Sequence, residues 1–126
     1  MNKQAKKSFT LINKQDISNV FKEGKSINGY PFRLSWICRK DIDSIKVLFS
    51  VPKKKFKRAV DRNLIKRQIK ELFFNEIMNE HIKKISIDLV ISYIGNEKME
   101  FSELRPLIIK TFNKLIKDIN NEAKTS

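Results

Sequence analysis

The chain contains one cysteine, one histidine, three glycines and three prolines in 126 residues. A single cysteine, Cys38, cannot close an internal disulfide, so the fold must rest on its core and a reducing cytoplasm is the expected compartment. Cys38 falls in a run that reads as a strand, where a small buried hydrophobe is expected. The lone His81, at the end of a predicted helix, has no neighbouring motif of nucleophile or metal ligands, and complementing the helix C-terminal dipole accounts for it. Asp41 and Asp43 are spaced as a cation pair could be, but they sit where a turn is expected and turns favour Asp. Neither a Walker loop nor a GxGxxG motif is present. No apolar run approaches the roughly 18 residues that span a bilayer, and the N-terminal MNKQAKKSFTLINK lacks the apolar centre of a signal peptide. By its residues the chain reads as a soluble, unexported binder with no catalytic residues of its own.

What it has in excess is positive charge. Twenty-seven Lys and Arg face fourteen Asp and Glu, a formal net charge of +13, and the pI is near 10.0. Such a balance points to a polyanionic partner, nucleic acid first. Nine Phe and an aromatic content of 10% exclude a disordered basic tail. The length suits one domain over 1–126 with a single core, residues 1–8 forming a flexible basic arm and 121–126 a flexible tail.

The charge is concentrated. From Ser50 to Glu71 the chain reads SVPKKKFKRAVDRNLIKRQIKE, with nine Lys and Arg and two carboxylates. At about 100° per residue, Arg62, Asn63, Lys66, Arg67 and Lys70 cover an arc of roughly 140°, while Ile65, Ile69 and Leu72 share another side. One side docks on a core and the other meets an anion. Asp61 is the only acid between Pro52 and Lys70, so i,i+4 pairing leaves most of these cations uncompensated, whereas a merely solvated helix would interleave signs. Lys53, Lys54, Lys55 and Lys57 occupy the turn before the helix. Arg62 offers a planar fork for phosphate oxygens or a base edge, and Asn63 a neutral donor and acceptor for a base or a metal-bound water. A continuous cationic ridge of this kind favours structured RNA or a duplex backbone over an isolated phosphate.

The remaining elements are predicted from periodicity. A first helix spans about 14–23, capped by Asn13 with Asp16 at N3 and stopped by Gly24, with Ile17, Val20 and Phe21 on one face. Residues 26–39, bent near Asn28-Gly29 and Pro31, and 46–51 read as a hairpin. The basic helix is expected over about 57–80, a covered strand over 85–94, and a last helix from Ser102 to about Asn120 with Leu104, Ile108, Phe112, Leu115 and Ile119 as its stripe and Pro106 near its start. The order predicts a compact two-layer α+β sandwich with three helices and about four strands. Phe21, with Phe32, Trp36 or Phe49, could flank a cleft in which unpaired bases stack, although phenylalanine at amphipathic spacing also serves a core.

The run KKKFKRAVDRNLIKRQIKE resembles the signature of the protein subunit of bacterial ribonuclease P. Lys53-Lys54, Ala59-Val60, Arg62-Asn63, Lys66-Arg67 and Lys70-Glu71 fall in the family's register. The likeness extends to Phe9, Asp16, Val20, Phe21 and Gly24, then to Phe32, Leu34 and Val47 to Val51, covering about residues 8–118. Two features depart from it. Leu64 stands where the family has a second arginine, a cation that Arg58 or Lys66 would have to replace; Ile17 stands where a phenylalanine is common, and Ser35 or Trp36 where an aromatic is frequent on the adjacent strand, a ring that Trp36 supplies only if the register or a bulge turns it inward.

The resemblance implies a left-handed βαβ crossover and a role beside a catalytic RNA that removes the 5′ leader from precursor tRNA with Mg²⁺. In that reading Lys53, Lys54, Lys55, Lys57, Arg58, Arg62, Asn63, Lys66, Arg67 and Lys70 meet RNA and favour Mg²⁺ binding. Ile17, Phe21, Phe32 and Trp36 line a cleft for the single-stranded leader. The expected partners are that RNA and precursor tRNA, with no membrane and no DNA. The alternatives are a ribosomal-type RNA binder without a role in cleavage, a protein-only nuclease, and a DNA-binding module, the last disfavoured because no short turn precedes the basic helix as in a helix-turn-helix.

Overall fold

A computed structural model describes residues 14–38, 45–77 and 86–125. Helix α1 (Lys14–Glu23) leads into strands β1 (Lys25–Gly29), β2 (Phe32–Cys38) and β3 (Ile45–Ser50). Helix α2 (Ala59–Leu72) continues through a π-helical turn (Phe73–Ile77), and strand β4 (Ile87–Tyr93) and helix α3 (Phe101–Thr125) follow. Residues 1–8, Phe9, Asn13, Asp41, Asp43 and His81, for which the sequence suggests roles, lie outside the described residues.

The four strands form one mixed sheet in the order β1-β2-β4-β3. β1 and β2 are an antiparallel hairpin joined by Tyr30-Pro31, whose peptide bond is cis. β4 pairs antiparallel with β2 along its whole length and parallel with β3. This corrects the expected hairpin: β2 and β3 do not pair with each other, because β4 lies between them. β4 takes the centre because it is the strand able to bury both faces, six of its seven residues being buried. The parallel β3–α2–β4 connection is the crossover that the sequence allowed.

Alternation along the strands assigns each face its helices. Phe32, Leu34, Trp36, Val47, Phe49, Leu89 and Ile91 meet Ile65, Ile69 and Leu72 of α2 and Leu104, Ile108, Phe112 and Leu115 of α3 in one core. The opposite face carries Val90, Ile37 and Leu48, which pack with Val20 and Ile17 of α1. The α+β sandwich is therefore observed, with α1 as an added cover on the second face of the sheet. Gly24 permits that placement: its N–H closes α1 on the Val20 carbonyl at 2.9 Å, and a Cβ there would overlap the Trp36 carbonyl oxygen of β2.

Three boundaries and one burial differ from expectation. α2 begins at Ala59 because Arg58 is extended (φ −81, ψ 129). α3 begins one residue before Ser102, which therefore lies inside the first turn. The Glu100 N–H donates to the Glu103 carboxylate at 3.2 Å, half of a capping box. Helix continues to Thr125, through the segment expected as a tail. Cys38, the last residue of β2, is exposed rather than buried, since it lies beyond the end of β1, whose pairing with β2 stops at Trp36.

Candidate nucleic-acid interface

The link from β3 to α2 is a braced turn. The Phe56 N–H donates to the Pro52 carbonyl at 3.2 Å, which folds Lys53, Lys54 and Lys55 outward, all of them exposed. Phe56 itself turns inward, 7% exposed, and its ring lies 5.8 Å from that of Tyr93. An aromatic plug between cations thus pins a charged turn to the core.

Two of the cations hold this turn as well as charging it. Arg62 Nη1 donates to the carbonyls of Phe56 at 2.8 Å and Lys57 at 2.9 Å, filling acceptors that α2 leaves beyond its N-terminus. Lys55 Nζ donates to the Ile94 carbonyl at 2.6 Å, and the Ile94 N–H donates to the Pro31 carbonyl at 2.7 Å. The basic turn is in this way tied to the end of β4 and to the β1–β2 hairpin. Asp61 pairs with Lys98 at 3.1 Å, so the acid of the stretch is met by a cation from the β4–α3 loop.

Along α2, Ile65, Ile69 and Leu72 are buried as the periodicity required. Asn63, Arg67 and Lys70 are exposed, Arg62 and Lys66 half-buried, and Arg58 and Lys57 exposed. All ten ridge residues named from the sequence therefore lie on one turn and the helix that follows. Leu64 is 39% exposed and Val60 65%, an apolar step beside the cations. Lys70 Nζ stands 6.0 Å from the Phe49 ring centroid, the outer limit of a cation–π contact.

The proposed stacking cleft divides differently. Phe32 and Trp36 are 0% and 1% exposed and belong to the core under α2 and α3, on the sheet face away from α1. The β2–β4 register runs without a bulge, so nothing turns Trp36 toward α1, and neither ring can stack a base there. Phe49 is likewise in the core. Ile17 and Phe21 remain, both on α1: Ile17 is half-buried against the sheet and Phe21, one helical turn on, is 60% exposed. Ile37 and Leu48, which the sequence reading did not name, complete the apolar patch there. Their signal was strand parity, each lying one residue out of step with the core-facing set.

Among the described residues no group of three His, Cys, Asp or Glu could hold a metal ion. Asn63, considered for a metal-bound water, is a single exposed amide and would not retain a hard cation alone. Tyr93 is a strongly shifted acid: burial, then the nearby Tyr30, Glu103 and Glu97, push its phenol up to about 12. The phenol donates to the Glu97 carbonyl at 2.5 Å, which fixes the loop carrying Lys98. No helix among the described residues is long and apolar enough to cross a membrane.

Fold and site together define a small α+β protein that carries a strongly cationic ridge on a hydrogen-bonded turn and helix. The Ribonuclease P family model matches residues 5–117. The ribonuclease P protein component of Porphyromonas gingivalis W83 is 26% identical over 125 residues, covering 93% of this chain and 90% of the relative. That of Streptococcus pyogenes serotype M5 is 30% identical over 122 residues, covering 94% and 98%. Among solved structures, the Staphylococcus aureus RNase P protein superposes with a TM-score of 0.73 at 24% identity, covering 85% of this chain and 94% of that one. The Thermotoga maritima RNase P protein gives 0.66 at 22%, covering 80% and 92%; at these identities the two structures speak for the fold alone. The chain belongs to the ribonuclease P protein family.

Proposed function

We propose that this protein is the RNA-binding subunit of a ribonuclease P holoenzyme, assisting a catalytic RNA in the endonucleolytic removal of the 5′ leader from precursor tRNA. The observation that carries the reading is the braced turn and α2, which present Lys53, Lys54, Lys57, Arg58, Lys66, Arg67 and Lys70 against two acids, Asp61, already paired to Lys98, and Glu71 at the end of the helix. A backbone braced in advance keeps these side chains together, so less conformational entropy is lost on meeting a phosphate backbone than for a mobile loop. In this reading the ridge meets RNA, and the face beside α1 receives the single-stranded leader, with Phe21 as the stacking ring and Ile17, Ile37 and Leu48 as its apolar floor.

Mg²⁺ enters this reading as an ion held by RNA oxygens, since the described residues offer no cluster of ligands for it. The protein's part is electrostatic. Two polyanions brought together repel each other, and cations at their junction lower that cost most where divalent ions are scarce. Stimulation should therefore be greatest at low Mg²⁺.

The test is single-turnover cleavage of a precursor tRNA by a bacterial ribonuclease P RNA at low millimolar Mg²⁺, with the protein, without it, and with the protein alone. Stimulation that requires the RNA supports the proposal. Tight RNA binding with no stimulation would favour a ribosomal-type binder, and cleavage by the protein alone would overturn the assignment of chemistry to the RNA.

A further inference from the structure

A second basic surface lies at the other edge of the sheet. The turn between β1 and β2 and the middle of α3 enclose a groove of about 320 Å³, lined by Asn28, Gly29, Tyr30, Lys110, Thr111 and Lys114 among others. Its walls are held close by design of the sequence. A Cβ at Gly29 would overlap the Thr111 side chain, and Thr111, 2% exposed, donates to the Leu107 carbonyl at 2.7 Å, which keeps its hydroxyl against α3. β1 and the hairpin turn can therefore approach α3 without a side chain between them.

Three features of the groove call for a ligand. Tyr30 is 61% exposed, a large ring left open to solvent beside the groove. Lys110 and Lys114 are both exposed and stand one turn apart, a spacing of about 5–6 Å at Cβ. Neither has an ion-pair partner among the described residues. Lys117 continues the same stripe, and Asp118 is the nearest acid along the helix. A flat ring, an amide at Asn28 and two cations one turn apart match one step of a single-stranded nucleic acid: a base face on the ring, its edge at the amide, and successive phosphates at the lysines. An acidic peptide would satisfy the lysines but leave the ring unused.

This groove is distinct from the α2 part of the ridge. β1 and β3 are the two edges of the sheet, so α2, which packs by β3, and the groove by β1 are separated by three strand spacings, roughly 14 Å. One phosphate group cannot reach both α2 and the groove, while the basic turn before α2 comes to the same hairpin end through Lys55, Ile94 and Pro31.

We infer that the Tyr30–Lys110–Lys114 groove is a second nucleic-acid contact, taking one nucleotide step of single-stranded RNA by stacking on Tyr30 and by phosphate pairing with Lys110 and Lys114. It adds to the function proposed above a contact on the opposite edge, and its test does not pass through cleavage.

The probe is an oligouridylate of about ten nucleotides carrying 4-thiouridine, added to the full chain with the ridge charge reduced by Lys53→Ala, Lys54→Ala, Lys66→Ala and Arg67→Ala. The expected result is a photo-crosslink at Tyr30. Tyr30→Ala should lower affinity about ten-fold with the salt slope unchanged, and Tyr30→Phe should preserve it. Lys110→Gln with Lys114→Gln should lower affinity about ten-fold and reduce the slope by about 1.4. No crosslink at Tyr30, or an unchanged slope in the double variant with native circular dichroism, would overturn the inference. So would protection of Tyr30 from modification by oligoglutamate but not by the oligouridylate, which would make the groove a site for acidic peptide. Failure of this protein to stimulate ribonuclease P RNA, with the Tyr30 crosslink intact, would count against the proposed function and leave the groove standing.

Discussion

Lys98 Nζ lies 3.1 Å from Asp61 Oδ1, so the one acid between Pro52 and Lys70 is met by a cation from the loop after β4. The pair is solvent-accessible, with Lys98 half exposed, and such pairs contribute about 0–1 kcal/mol to stability. Its effect falls on the field that RNA meets. Asp61→Asn should raise affinity for ribonuclease P RNA a few-fold, and Lys98→Ala should lower it by a similar factor. If Lys98 acts only by covering Asp61, the double variant should match Asp61→Asn, whereas a return to the parent would show that the two charges contribute independently. Filter binding at two salt concentrations measures all three.

Arg62 and Lys66 stand one turn apart on α2, but they should fail differently. Removing Arg62 leaves the carbonyls of Phe56 and Lys57 without their charged donor, which should cost about 1.5 kcal/mol of stability. Lys66→Ala should leave stability unchanged. Both should weaken RNA binding by about 1–3 kcal/mol and flatten its salt dependence. Arg62→Lys keeps the charge but not the two-carbonyl bridge, so it should recover the salt slope and not the urea midpoint. An unchanged salt slope in both alanine variants would remove α2 from the interface.

The helices were legible in the sequence because a 3.6-residue period needs only local reading. Ile65, Ile69 and Leu72, and Leu104, Ile108, Phe112 and Leu115, are buried as their spacing required. The strand order was not, since β4 enters between β2 and β3 from about forty residues further along the chain, and no local pattern encodes a non-local insertion. Phe32 and Trp36 show a different limit. Their parity with Leu34 placed all three on one face, yet that parity does not say which helix covers the face. The ridge was legible as charge but not as architecture. Phe56, interrupting a run of lysines, was the available sign that the turn is anchored, and the carbonyls that Lys55 and Arg62 engage have no sequence signal.

Phe56→Ala should be the most damaging change in the ridge although it removes no charge. The ring is buried against Tyr93, and loss of a core phenylalanine costs about 3–5 kcal/mol. Phe56→Leu should cost less than half of that. Urea unfolding of the two variants measures the difference; equal midpoints with the parent would show that the turn does not depend on its plug.

Alkaline pH should expose the role of Tyr93. Its phenol is raised from 10.0 to about 12 in the fold, so the folded state holds its proton more tightly than the unfolded chain. That contribution is fully present below pH 10 and is lost as pH rises through about 12. Tyr93→Phe removes the ionisable group together with the bond to the Glu97 carbonyl. The variant should therefore be less stable than the parent at pH 8 and should lose less stability between pH 9 and 11. Parallel slopes in urea midpoint against pH would contradict the assignment.

Phe21 is the residue on which the leader reading turns. It is exposed on α1, makes no part of either core, and so Phe21→Ala should leave the urea midpoint within about 0.5 kcal/mol of the parent. If its ring stacks a leader base, the variant should lose about 1–3 kcal/mol in binding precursor tRNA to the holoenzyme and nothing in binding mature tRNA, which has no leader. Phe21→Tyr or Phe21→Trp keeps a π face and should restore discrimination, whereas Phe21→Leu, apolar but not planar, should not. Equal losses on the two substrates would mean that the side chain supports the RNA subunit rather than the leader, and the α1 face would then have to be given another occupant.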